Sequence, residues 1–146
     1  MKIKPPYIAF TLLFLSWLVN RIFPKFNIIK KPYNLFGILV FIIGLTITFS
    51  SFYLFKKNKT PIIPGKKPEF MIAEGTYKFT RNPMYLGVTM ALLGSSIYFG
   101  NFLSFLSPLI FFTAMNFIYI PFEEQLMEKV FGKNYAEYKE KVRRWI

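Results

Sequence analysis

The chain has 146 residues, a formal net charge of +12, 53% hydrophobic residues and 19 phenylalanines, and it contains no cysteine, histidine or aspartate. Those absences exclude disulfides and thiolate chemistry, and they remove the usual ligands of zinc. Acid–base work is left to the seven glutamates, the lysines, the tyrosines or a bound substrate.

The length sets one domain, and the apolar residues fall in long blocks of the kind that cross bilayers. The first block, 7–23, has an uncharged centre and ends near Arg21, which can snorkel to an interface. A cleaved signal peptide is the competing reading, but no small-residue cleavage site follows. The second, 35–55, is 21 residues without a charge, enough to cross the hydrocarbon core. The third and fourth, 83–99 and 102–122, are separated only by Gly100 and Asn101, which predicts a tight antiparallel hairpin. Gly87, Ala91 and Ser95 recur every four positions on the third block, beside Gly94. Such a face lets another helix approach closely, within one chain or between two. Residues tolerated singly in a membrane helix give the same pattern.

These elements predict an all-α integral membrane protein, a single membrane domain over 1–146 with about four transmembrane helices. A cytosolic loop over 56–82 and an amphipathic tail over 123–146 complete it. With four spans both termini and the 56–82 loop share one face, which then carries 15 of the 19 lysines and arginines. Arg21, Lys25, Lys30 and Lys31 lie on the other. The positive-inside rule puts the richer face in the cytosol. Cations beside apolar blocks fit anionic lipid headgroups and argue against nucleic acid as the partner. The tail has helical spacing, with Leu126, Val130 and Phe131 on one side, and "FGKN" breaks it at Gly132. Its last residues, "KVRRWI", read as an interfacial anchor.

All seven glutamates fall on the cation-rich face. There the stretch 75–87, "GTYKFTRNPMYLG", passes from polar to apolar at Asn82-Pro83. Asparagine is a good N-cap and proline is favoured at the first helical position, so the third span starts here. Its amides and positive dipole end suit a carboxylate or phosphate, and Arg81 adds a planar fork of donors. A well-capped membrane helix with an interfacial Arg and Tyr gives the same sequence. Glu123 and Glu124 follow an uncharged span, where carboxylates are costly unless paired or hydrated. The hairpin brings them to the same face as Arg81. Adjacent helical residues point about 100° apart, so one glutamate is expected to face a pocket and the other to serve structure.

"GTYKFTRNPMYLG" followed by "EEQLMEKVFGKNYAEYKEKVRRWI" resembles the membrane methyltransferases that include isoprenylcysteine carboxyl methyltransferases and phospholipid methyltransferases. Their shared pattern is Gly-x-Tyr, Arg-His-Pro-x-Tyr-x-Gly, an apolar hairpin, Glu-Glu, and a Phe-Gly-x-x-Tyr-x-x-Tyr tail. The likeness covers 75–146, half of the chain. It implies S-adenosylmethionine bound at the cytosolic face and methyl transfer to a lipophilic or prenylated acceptor. Carried over by position, it implies catalytic roles for Arg81 and Glu124, with Tyr77, Asn82, Tyr85, Gly87, Glu123 and Glu124 at the cofactor. Asn82 stands where the family has histidine, and it can hydrogen-bond but not titrate. Thr76 replaces a common proline. Two other readings remain: a nicotinamide-dependent reductase related to membrane sterol reductases, which are longer, and a non-catalytic membrane subunit.

Overall fold

The computed structural model describes residues 3–59 and 70–146. The middle of the expected 56–82 loop, with Lys66, Lys67 and Glu69, lies outside the described residues, as does Lys2. The first helix, α1 (Pro5–Ile22), opens on two prolines whose missing N–H groups cost nothing in a first turn. The second, α2 (Phe36–Lys57), follows a 3-10 turn, and Lys56 and Lys57 suit the negative end of its dipole. The third, α3 (Pro83–Phe99), starts on Pro83 and stops at Gly100, whose φ of 71° no β-carbon residue adopts cheaply. After a 3-10 turn come α4 (Leu106–Ala114), a π turn (Met115–Tyr119), α5 (Ile120–Phe131) and α6 (Lys133–Lys141).

Among the described residues two helical stretches are long and apolar enough to cross a membrane, Tyr33–Lys57 and Phe102–Phe131, and Pro83–Phe99 is apolar and shorter. Large apolar side chains such as Ile38, Ile42, Phe49, Leu109 and Phe117 are exposed along them. A surface of this kind belongs in lipid. The expected fourth block over 102–122 is longer than the sequence suggested. The helix continues through Glu123 and Glu124 to Phe131, because the π turn widens the backbone just ahead of Pro121 and accommodates its ring and missing N–H. Gly132 then breaks the tail as expected, at φ 49°.

The hairpin tip is fixed by Asn101. Its Oδ1 accepts from Leu103 N at 3.0 Å, and its Nδ2 donates to Phe23 O at 2.8 Å and Asn27 Oδ1 at 3.0 Å. The carbonyl of Gly100 accepts from Ile28 N and Ile29 N. The end of α1 and the start of α2 therefore meet the hairpin tip, while Tyr119 Oη donates to Ile3 O at 2.7 Å at the opposite end.

The tightest packing joins α2 and α3. A β-carbon on Gly87 would meet Gly44 O at 2.6 Å and Thr48 N at 2.8 Å, and one on Gly94 would meet Gly37 O at 2.6 Å. Glycines seven apart on each helix thus let two antiparallel backbones touch. Ala91 lies in the same seam. The Ser95 hydroxyl donates to Leu92 O within its own helix. Elsewhere buried serines join α1, α3 and the turn after the hairpin. Ser104 Oγ donates to Ser16 O at 3.1 Å, and Ser96 Oγ donates to Ser104 O at 2.8 Å. Leu12, Leu92, Phe111, Met115, Tyr119 and Ile120 form the apolar core.

Candidate active site

The start of α3 is built by a short turn that the sequence encodes locally. Gly75 adopts φ 59°, a 3-10 turn follows over Gly75–Lys78, and Tyr77 is buried beneath it. The Tyr77 ring packs against Phe55 at 5.8 Å, and its carbonyl accepts from Tyr138 Oη at 2.7 Å. Burial raises the phenol of Tyr77, and it raises that of Tyr138 to about 12, so Tyr138 stays a neutral donor.

Asn82 occupies the N-cap position, but its side chain does not cap. Its Nδ2 instead donates to Arg144 O at 3.0 Å, and Thr80 Oγ1 donates to the same carbonyl at 3.0 Å. The amide of Arg81 donates to Arg143 O at 3.0 Å. The expected side-chain cap is thus replaced because the segment 143–145 folds back across the helix start and brings backbone acceptors with it. Trp145, expected as an interfacial anchor, is folded inward for the same reason. Its ring packs on Phe112 at 4.6 Å, and its Nε1 donates to Asn116 Oδ1 at 3.0 Å.

Around that segment the charges converge. Arg81 Nη2 donates to Glu124 Oε1 at 2.9 Å, and each side chain is 10% exposed. Arg144 Nη2 donates to Glu124 Oε2 at 2.6 Å. Both oxygens of one buried carboxylate are therefore held by guanidinium groups, which offsets the cost of its burial. Arg81 Nη1 reaches Lys139 O at 3.2 Å, while Arg81 Nε is buried without a partner among the described residues. One residue earlier, Glu123 Oε1 accepts from Tyr85 Oη at 2.6 Å. The Tyr85 ring lies edge-on to Phe111 at 6.5 Å.

Among the residues singled out by sequence, the structure pairs Arg81 with Glu124 and Tyr85 with Glu123, all at one end of the bundle. Asn82 turns to Arg144, and Tyr77 stacks beneath. Gly87 stands apart from this group: the space a β-carbon would take there is filled by α2, so the residue serves the helix seam. Sequence reasoning missed Arg144 and Asn116. An asparagine inside the apolar run "FTAMNFIYI" was the available signal, since a polar group there needs a partner.

Among the described residues, an all-helical fold with membrane-length apolar helices, and a paired Arg–Glu and Tyr–Glu cluster across a helical hairpin, defines a membrane protein with a built polar site. Comparison with known proteins gives the family. The pattern of the phospholipid methyltransferase family matches residues 33–134, and the chain belongs to that family. It is similar to protein-S-isoprenylcysteine O-methyltransferase B of Arabidopsis thaliana, 25% identical over 109 residues, covering 73% of this chain and 55% of that protein. It is likewise similar to protein-S-isoprenylcysteine O-methyltransferase of Schizosaccharomyces pombe, 27% identical over 124 residues, covering 82% of this chain and 52% of that protein. The chain spans about half the length of these two enzymes. An uncharacterized protein of Haemophilus influenzae is 41% identical over 63 residues, 43% of this chain and all of that one.

Proposed function

We propose that the chain is an S-adenosylmethionine-dependent methyltransferase acting on a lipophilic acceptor at the membrane face where Arg81, Glu123 and Glu124 gather. The observation that carries this reading is the pairing of Tyr85 with Glu123 beside the buried Arg81–Glu124–Arg144 group. In this reading α1, α2, α3 and the helix over Phe102–Phe131 each cross the bilayer, and the gathered face is cytosolic by its excess of cations. Anionic headgroups surround it, and the acceptor is an isoprenylcysteine-type carboxylate or a phospholipid-type headgroup.

The donor set fits a zwitterionic cofactor. Arg81 Nε is a buried cationic donor still to be matched, and Glu123 commits only one oxygen to Tyr85. The first suits a carboxylate, the second an ammonium or ribose hydroxyls. Glu124, with both oxygens engaged, positions Arg81. Asn82 ties the start of α3 to the Arg144 carbonyl, and Tyr77 supports the turn.

When bound, S-adenosylmethionine supplies a methyl group already activated on a sulfonium. The protein's work is then alignment and exclusion of water. A carboxylate acceptor needs no base. An amine or thiol must lose a proton, and Glu123 is the acceptor placed for it, since Glu124 is doubly paired. Incubating purified protein with methyl-labelled S-adenosylmethionine and either total lipid or a prenylated peptide tests this reading. Label in one of the two fractions, lost in E123Q, is the expected result; label in neither contradicts it.

A further inference from the structure

A second feature lies at the other end of the bundle. Helix α1 leans on α3 and α4 while α2 packs on α3, and a crevice of about 500 Å³ opens between them. Phe10, Trp17, Phe41 and Tyr98 line it, together with Gly37 and Gly94. Its walls are apolar, as a hydrocarbon chain requires. The sequence continues the α1 side of the crevice past Trp17, at helical spacing, to Asn20 and Arg21.

The polar groups at that end point to the occupant's charge. Arg21 lies over the Trp17 ring, 5.7 Å from its centroid. Lys25, Lys30 and Lys31 follow in the connection to α2, with no acidic residue anywhere between α1 and α2. None of these four cations has a carboxylate partner among the described residues. Two buried acceptors at that end of the bundle, Asn20 Oδ1 and Asn34 Oδ1, also lack a partner among the described residues. Asn34 is anchored at the crevice wall, since its Nδ2 donates to Tyr98 O at 3.0 Å.

We propose that the crevice seats one acyl chain of an anionic phospholipid whose phosphate rests on Arg21 and whose headgroup hydroxyls serve the two asparagine oxygens. An apolar slot, a cationic lip and unmatched acceptors together are the complement of that molecule. Its headgroup lies at the end of the bundle opposite Glu123, so this lipid is not the methyl acceptor. The site stands whether or not the chain transfers methyl groups.

The chain has two tryptophans, so W145F leaves Trp17 as a single reporter beside the crevice. This protein is reconstituted in phosphatidylcholine vesicles containing equal fractions of either brominated phosphatidylglycerol or brominated phosphatidylcholine. Stronger quenching of Trp17 by the brominated phosphatidylglycerol is expected, and R21Q should cut that preference about fivefold, the effect of one cation near an anionic lipid. The ratio between lipids cancels any change R21Q makes to Trp17 emission itself, and K25Q provides a second variant should R21Q fail to fold. Equal quenching by both lipids would mean a merely lipid-bathed surface and would overturn the proposal. Quenching by neither would mean that a second copy or another protein covers the crevice, and would also overturn it.

Discussion

Arg144 Nη2 lies 2.6 Å from Glu124 Oε2 while Arg81 holds the other oxygen of the same carboxylate. Glu124 is therefore the keystone of three segments: the start of α3, α5 and the chain after α6. Replacing it by alanine leaves two guanidinium groups facing each other, one of them buried. We expect E124A to lose about 3–5 kcal/mol of stability, the usual cost of orphaning a buried charge. R144Q should lose about 1 kcal/mol, because the Arg144 side chain is 35% exposed and Glu124 keeps Arg81. Thermal unfolding in detergent micelles gives both values; equal losses would contradict the keystone role.

Two glycines separate steric from conformational demands. Gly87 has no room for a β-carbon against α2, whereas a β-carbon on Gly132 would meet no described atom within 4 Å and face only an unfavourable φ of 49°. G87A must push α2 and α3 apart, and it should prevent accumulation of folded protein. G132A should cost about 1–3 kcal/mol, the price of backbone strain alone. Folded yield by size-exclusion chromatography ranks the two.

The Tyr138 hydroxyl predicts an alkaline limit. Its folded pKa is raised from 10.0 to about 12, chiefly by burial. A phenol raised on folding favours the folded state fully below the unfolded value, and that contribution disappears as pH rises from 10 to 12. Stability should hold to about pH 9 and fall above 10, with Tyr77 shifted in the same direction. Y138F removes this group's share of the fall. A pH series of denaturation midpoints for both proteins checks it; an unchanged slope in Y138F would refute the assignment.

Topology can be read chemically, because the chain has no cysteine. Single cysteines at Lys30 and at Lys133 should report opposite faces of the membrane. A membrane-impermeant maleimide applied to intact cells should label the Lys30 position alone. Labelling at both or at Lys133 alone would contradict four crossings with cytosolic termini.

Much of this arrangement was legible in the sequence. Gly100 and Asn101 fix the hairpin, Asn82-Pro83 starts a helix, Gly132 breaks one, and the hairpin alone brings Arg81 to Glu124. Each is a local signal or follows from chain reversal. The rest depends on partners distant in sequence. "KVRRWI" contains nothing that tells an interfacial anchor from a segment folded onto α3 and Asn116. The asparagine at a cap position has two good uses, and only the carbonyl of Arg144 decides between them. Gly87 sits within a binding motif, yet the glycines of α2 assign it to packing. In the sequence the last apolar block ends at its first charges, Glu123 and Glu124, and the π turn that lets the helix run on past Pro121 to Phe131 leaves no mark in composition.

Glu123, Tyr85 and Arg81 are the residues proposed to hold S-adenosylmethionine. Calorimetric titration of the protein in lipid nanodiscs tests this assignment most directly, with E123Q alongside. The wild-type chain should bind saturably, and E123Q should bind at least about tenfold more weakly while melting like the wild type, as loss of a charged hydrogen bond predicts. Binding of a reduced nicotinamide cofactor in place of S-adenosylmethionine, or equal affinity in E123Q, would contradict the account.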